Sequence, residues 1–281
     1  MLNERPHVAP ALAPSATNYK TLLVHVEASL ESDARLQVAV DFAYGLSAKV
    51  VGLGGSVPMQ MNGIVGIDWQ IVVDAQQADI SAAKDHFQRI AGVLGEAAVW
   101  AEGLGSPDEM MADYAAGADL IIASAIRGPH DSTVDPGTMA IAAGIPVMTV
   151  PKGCQGLRRK RIAVGWKNTR EARRALTDAL PLMCEAESVI LVAIQAEDGS
   201  PINGLAAALG RLRRHGVVVE SRTVREGTDD PVGCLITCAE DAVSDLIVSG
   251  AYGHNRLQEW CFGGVTAGLI ERSTLPVLFS H

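Results

Sequence analysis

The strongest constraint on this chain is that it repeats itself. Ala118-Asp119-Leu120-Ile121-Ile122-Ala123-Ser124 matches Val243-Ser244-Asp245-Leu246-Ile247-Val248-Ser249, and Gly144-Ile145-Pro146-Val147-Met148 matches Thr274-Leu275-Pro276-Val277-Leu278. Glu27-Ala28-Ser29 fills the slot that Lys167-Asn168-Thr169 fills later. Three anchors in one order mark a duplicated unit, and 281 residues accommodate two domains of ordinary size. The copies differ in length: 29 to 124 in the first corresponds to 169 to 249 in the second. The surplus falls mainly in 55–75, a Gly/Met-rich stretch that reads as a long loop or flap, with Met59, Met61 and Ile64 as apolar points.

Within each copy, short apolar runs bounded by turn residues read as buried strands: 21–26, 50–53, 97–102, 120–124 and 147–150, then 161–165, 189–194, 217–224, 246–249 and 277–279. Helical periodicity fills the gaps at 33–47, 78–94, 108–116, 170–184, 204–215 and 232–242. Pro107 and Pro231 fall at helix starts, where a missing N–H costs little. The alternation predicts an α/β protein: two tandem five-stranded parallel sheets with helices on both faces. The expected division is a disordered tail at 1–18, a first domain at 19–152, a linker at 153–160 and a second domain at 161–281.

Aromatic residues are only 4% of the chain, so the core must be aliphatic. With 23 basic and 32 acidic residues the net charge is −9, which disfavours nucleic acid as a partner. The local exception, Arg158-Arg159-Lys160-Arg161, lies between the copies and reads as a solvated linker. Five cysteines form no CxxC pair, consistent with a reducing cytoplasm, and Cys234 and Cys238 read as small residues on a helix face rather than metal ligands. The N-terminus lacks the pattern of a secretion signal, and no run approaches the ~20 apolar residues of a membrane span, so no membrane association is expected.

Ligands of such sheets bind beyond the carboxyl ends of the strands, where strand order reverses. After the fourth strand of the second copy comes Gly250-Ala251-Tyr252-Gly253-His254, followed by Gly263-Gly264-Val265-Thr266. Glycines let a backbone approach a phosphate, and N–H groups at a following helix start face the anion. This G-x2-G-x9-G pattern of Gly250, Gly253 and Gly263, with Thr266 close behind and a terminal Leu-Pro-Val-Leu strand, resembles the universal stress protein family across 19–281. The resemblance implies the adenine nucleotide alpha hydrolase-like fold and ATP or AMP as ligand, with or without magnesium. It also implies a pseudo-dimer whose final strands, 146–150 and 276–279, meet edge to edge and cover edges that would otherwise invite aggregation. It places Gly250, Gly253, Gly263, Gly264, Val265 and Thr266 around the phosphates; the strand-end residues Gly165, Ala193 and Ile194 would then line the base side by their position.

Both copies depart from the family pattern. The acid expected after the first strand is Lys167 in the second copy, which cannot accept hydrogen bonds from ribose hydroxyls, and the hydroxyl residue expected after Gly263 is Gly264. The first copy keeps an acid, Glu27, but has Ala125-Ile126-Arg127-Gly128 and then Asp135-Pro136-Gly137-Thr138 in place of the glycine segment, a sequence suited to a helix start. It is expected to bind no nucleotide. No P-loop, GxSxG elbow, HExxH helix or metal-ligand spacing occurs, and Gly52-Leu53-Gly54-Gly55 lacks the third glycine of a dinucleotide fingerprint. The expected function is a cytoplasmic, nucleotide-responsive stress protein with no committed catalysis and no metal, able to form a further homodimer. The alternatives are a nucleotide-independent interaction module of the same fold and a slow ATPase using His254 or a carboxylate.

Overall fold

A computed structural model describes residues 19–56, 69–125, 134–195, 200–225, 230–252 and 264–281. The first copy supplies β1 (Thr21–Val26), α1 (Leu30–Leu46), β2 (Lys49–Ser56), α2 (Trp69–Ala91), β3 (Ala98–Leu104), α3 (Pro107–Ala115), β4 (Leu120–Ser124), α4 (Pro136–Ala142) and β5 (Val147–Val150). The second supplies β6 (Arg161–Trp166), α5 (Arg170–Asp178), α6 (Leu180–Glu185), β7 (Ser188–Gln195), α7 (Leu205–Arg214), β8 (Val219–Arg225), α8 (Pro231–Asp241), β9 (Leu246–Gly250), α9 (Gly264–Arg272) and β10 (Val277–Ser280). These strands form one ten-stranded sheet in the order β3-β2-β1-β4-β5-β10-β9-β6-β7-β8. Every pairing is parallel except β5 with β10.

The junction shows how the duplication folds. Leu278 pairs with Met148, flanked by Val277 with Thr149 and Phe279 with Val147. Met148 and Leu278 are equivalent positions of the repeat, so a pseudo-twofold axis passes between them. The expected edge-to-edge meeting of the last strands is thus the centre of the molecule. Because β5 and β10 run in opposite directions, the carboxyl ends of the two sets of strands point to opposite edges of the sheet.

Each sheet face buries one apolar cluster, and both clusters cross the junction. One lies under α1, α2, α5, α6 and α7 and includes Met148 and Leu278. The other lies under α3, α4, α8 and α9 and includes Val147 and Phe279. Strands covered on both faces explain the continuous apolar runs of the sequence.

Two helices differ from the sequence expectation. α2 begins at Trp69, so residues 69–75 of the expected flap are helical and Gly55-Ser56 end β2, while 57–68 lie outside the described residues. One helical face explains this: Val72, Ala83, Phe87 and Ala91 are buried, while Ile71 and Val73 stay exposed. The helix expected over 170–184 is split at Ala179, because Pro181 has no N–H to continue the ladder and its ring crowds the preceding turn.

The basic run between the copies is also not simply solvated. Arg158, Lys160 and Arg161 are exposed, but Arg159, at φ 55°, turns inward. Its guanidinium lies 5.1 Å from the Phe42 ring centroid and 3.5 Å from Glu185, tying α1 to α6 across the two copies. Tyr19 adds a second tie by donating to the carbonyl of Asp178. Among the described residues no helix is long and apolar enough to cross a membrane.

Candidate functional site

Strand order reverses twice, between β1 and β4 in the first copy and between β6 and β9 in the second. Each reversal leaves a crevice beyond the carboxyl ends of those strands, flanked by the loop to the next helix. The two crevices are built from equivalent positions occupied by different residues.

In the second copy, Thr169 caps α5 by accepting the Ala172 N–H at 3.3 Å, which presents the first turn of that helix to the crevice. Gly250 ends β9 directly against this turn: a Cβ there would lie 2.7 Å from the Ala172 nitrogen and 2.7 Å from the Glu171 carbonyl carbon. Only glycine brings the strand end so close to the helix start. Gly165 meets the opposite face, where a Cβ would lie 2.9 Å from Leu235 and 3.9 Å from the Ser249 hydroxyl.

The other expected site residues separate into two groups. Gly264 and Val265 open α9 and are exposed, whereas Thr266 is buried and its hydroxyl accepts the Tyr252 N–H at 3.2 Å. Thr266 therefore braces the backbone at Tyr252. Ala193 pairs with Trp166 and is buried, while Ile194, one residue on, is 40% exposed. Alternation along β7 sends Ala193 and Ile194 to opposite faces of the sheet. Gly253, Gly263 and His254 lie outside the described residues, as does Arg127 of the first copy.

Sequence reasoning missed three groups here. Glu171, in the first turn of α5, is 3% exposed, and its Cβ faces the Gly250 position at 2.9 Å. Trp166 is buried at the end of β6, and its indole N–H meets no acceptor among the described residues. Tyr252 is a buried non-glycine residue at φ 49°, a conformation that costs about 1–3 kcal/mol and persists only where its surroundings impose it. Its hydroxyl lies over Gly137 of the first copy, 2.3 Å from where a Cβ would stand. Lys167 and Arg170 stay exposed at the mouth of the crevice, so a net-acidic chain presents two cations beside a helix start there.

The equivalent crevice of the first copy is filled. Arg35, 2% exposed, donates to the His25 carbonyl (2.7 Å), the Ser124 hydroxyl (2.6 Å) and the Ser32 hydroxyl (3.2 Å), and pairs with Glu27 at 3.2 Å. Ser29 donates to the same Glu27 carboxylate at 2.9 Å. His25 is buried beside this cation; burial first, and the Arg35 charge second, hold its pKa down to about 3, so it is neutral at neutral pH. His86 of α2 reaches Asp33 of α1 at 2.8 Å, and burial lowers its pKa as well. Where the second copy has Gly165, Lys167 and Ala175, the first has His25, Glu27 and Arg35. The expected helix start is present: Asp135 caps α4 by accepting the Gly137 N–H at 3.0 Å.

Around α9, Arg272 and the Gly233 N–H hold the Asp230 carboxyl at about 2, in a pairing that joins the cap of α8 to the last turn of α9. The four cysteines among the described residues are free thiols, and no three potential metal ligands gather among those residues.

The fold and its two crevices define a class: paired doubly wound α/β domains joined through their last strands. Residues 185–281 match the family model described as "Universal stress protein family". Among solved structures, the chain is similar to a universal stress protein from Archaeoglobus fulgidus DSM 4304, with 17% identity and a TM-score of 0.75 over 92% of this chain and 95% of that one. It is also similar to a functionally unknown protein from Pseudomonas aeruginosa PAO1, with 18% identity and a TM-score of 0.58 over 93% and 92% of the two chains. At these identities the likeness speaks for the fold. No curated protein matches the chain. The second half carries the sequence signature of the universal stress protein family, and the chain as a whole is two copies of that fold in tandem.

Proposed function

We propose that this universal stress protein binds an adenine nucleotide, ATP or AMP, in the crevice between β6 and β9, and acts in the stress response by changing state with occupancy. The observation that carries the reading is Gly250 packed without a side chain on the first turn of α5, with α9 opening at exposed Gly264. Backbone N–H groups at two helix starts can then face one anion. In this reading Gly250, Gly253, Gly263, Gly264 and Val265 surround the phosphates, Thr266 holds their loop in shape, and Lys167 adds a cation. Gly165 and Ile194 line the base side with Ala193 beneath them. Lys167 offers no acceptor for ribose, so affinity resides mainly in the phosphates and falls from ATP to AMP to adenosine. The protein works in the cytoplasm and needs no metal beyond the magnesium that accompanies ATP.

Thermal unfolding of nucleotide-free protein with and without millimolar MgATP tests this. At a hundredfold excess over the dissociation constant, occupancy stabilises by roughly 2.7 kcal/mol, and Gly263→Val abolishes the shift. Absence of any shift rejects nucleotide binding and leaves a scaffold of the same fold.

One observation favours slow hydrolysis as a second reading: Glu171 is a buried carboxylate at the foot of the glycine loop. Phosphate release that disappears in Glu171→Gln while the thermal shift remains would support it. Release equal to a no-protein blank would reject it.

A further inference from the structure

The first copy has a filled crevice and an altered fourth loop, yet it meets the second copy's glycine loop directly. Tyr252 is the third residue of Gly250-Ala251-Tyr252-Gly253, and it is held at both ends. Its N–H is bonded to Thr266 in the first turn of α9, and its hydroxyl rests over Gly137 in the first turn of α4. A Cβ on Gly137 would stand 2.3 Å from that hydroxyl and 3.5 Å from the ring carbon bearing it, so the fit depends on glycine on one side and the phenol oxygen on the other. Asp135 fixes α4 from beneath by accepting the Gly137 N–H, and its own N–H donates to Asp108 of α3 at 2.9 Å. Residues 135–137, at the start of α4, therefore form a seat held by hydrogen bonds. The residue seated in it belongs to the other copy.

We infer that Tyr252 is a positioning residue: seated on Gly137 of the first copy, it sets the backbone of Gly250–Tyr252, where that strand end meets the first turn of α5, so the copy with the filled crevice helps to shape the ligand site of its neighbour. This inference rests on the nucleotide reading for its ligand, but the seating itself does not. Tyr252 is buried and adopts φ 49°, and Ala251, beside it, is bonded through its N–H to the Ser280 carbonyl and through its carbonyl to His281. With Ala251 anchored before it and its own N–H held by Thr266, a displaced Tyr252 side chain strains the backbone at 251–252 rather than swinging free.

The test is a double-mutant cycle in the full chain, with Gly137→Ala, Tyr252→Phe and the pair, read by MgATP affinity and by hydrogen exchange of the Tyr252 amide without nucleotide. Gly137→Ala is expected to weaken MgATP binding about tenfold and to speed Tyr252 amide exchange, because the new methyl displaces the phenol oxygen. In the Tyr252→Phe background the same methyl meets only the ring at ordinary contact distance, so Gly137→Ala should change neither readout. Unfolding temperatures without nucleotide show whether each variant retains its fold. Equal effects of Gly137→Ala in both backgrounds, or no effect in either, overturn the inference. Wild-type protein that binds no MgATP, while the exchange cycle still shows the dependence on Tyr252, overturns the nucleotide reading and leaves the seating in place.

Discussion

The two crevices occupy equivalent places in the repeat and have opposite contents. Between β1 and β4 a buried guanidinium, Arg35, gathers a carboxylate, a carbonyl and two hydroxyls into a closed set. Between β6 and β9 the same positions carry Gly165, Lys167 and Ala175, and the strand end Gly250 touches a helix start with no side chain between them. One copy supplies its own charge to its crevice, and the other leaves backbone donors and an exposed lysine at the mouth. The fold is indifferent to which is chosen, because both apolar clusters lie behind the strand ends and run through the junction. Site chemistry and fold stability are thus separable in this architecture.

The comparison breaks most sharply at Arg35. Arg35→Ala removes one partner from a buried ionic set and leaves Glu27 and the His25 carbonyl uncompensated, so urea unfolding should show a loss of about 3–5 kcal/mol. Ala175→Ser, at the equivalent position, has no such set to disrupt and should cost well under half as much. If the two losses are equal, the guanidinium set is not what distinguishes the crevices.

Gly250→Val forces a branched side chain against the α5 backbone, with an expected loss of about 2–3 kcal/mol together with any nucleotide-induced thermal shift. Ser124, which pairs with Val150 as Gly250 pairs with Ser280, is the counterpart in the first copy, and Ser124→Ala should leave that shift intact.

Acid separates the crevices through His25. Its folded-state pKa of about 3 lies below the ordinary 6.5, so between those values the unfolded chain binds a proton that the folded chain refuses. Its contribution is fully present above pH 6.5 and falls away as the pH drops toward 3, by about 2 kcal/mol at pH 5. Stability measured from pH 7.5 to 4.5 should therefore be flatter in His25→Gln, while substitutions around Gly165 should leave the profile unchanged.

The smallest expected effect belongs to the tie between the copies. Arg159→Ala removes the contact with Phe42 and the pair with Glu185, for about 1 kcal/mol in thermal or urea unfolding. The loss should appear as one shifted transition if the copies unfold together, and as a split transition if they do not.

Strands were the most legible part of the sequence. Thr21–Val26, Leu120–Ser124 and Val147–Val150 fall where the apolar runs put them, because strands buried on both faces have no alternating solvent-facing polar row to break the run. The joining of the last strands was legible through the family resemblance, and the structure adds its register, with the repeat-equivalent Met148 and Leu278 facing each other. The start of α2 was obscured by the Gly/Met-rich run before it and by Ile71 and Val73, which are exposed where an apolar pattern implies burial. Arg35 was missed because an arginine on a helix ordinarily reads as solvated. The repeat held the signal, since its counterpart Ala175 is fully buried and equivalent positions share a direction. The role of Thr266 was not legible at all: a hydroxyl near a glycine motif has the same sequence whether it meets a ligand or braces Tyr252.

The antiparallel meeting of β5 and β10 has a consequence for how such a molecule responds to its own abundance. Two separate chains joined along one short edge obey mass action and come apart on dilution. Here the partner is carried on the same chain, so the encounter is intramolecular and its completeness does not depend on how much protein is present. Changes in expression then alter the number of assembled pairs without altering the fraction assembled, and every molecule is a heterodimer in all but covalent structure.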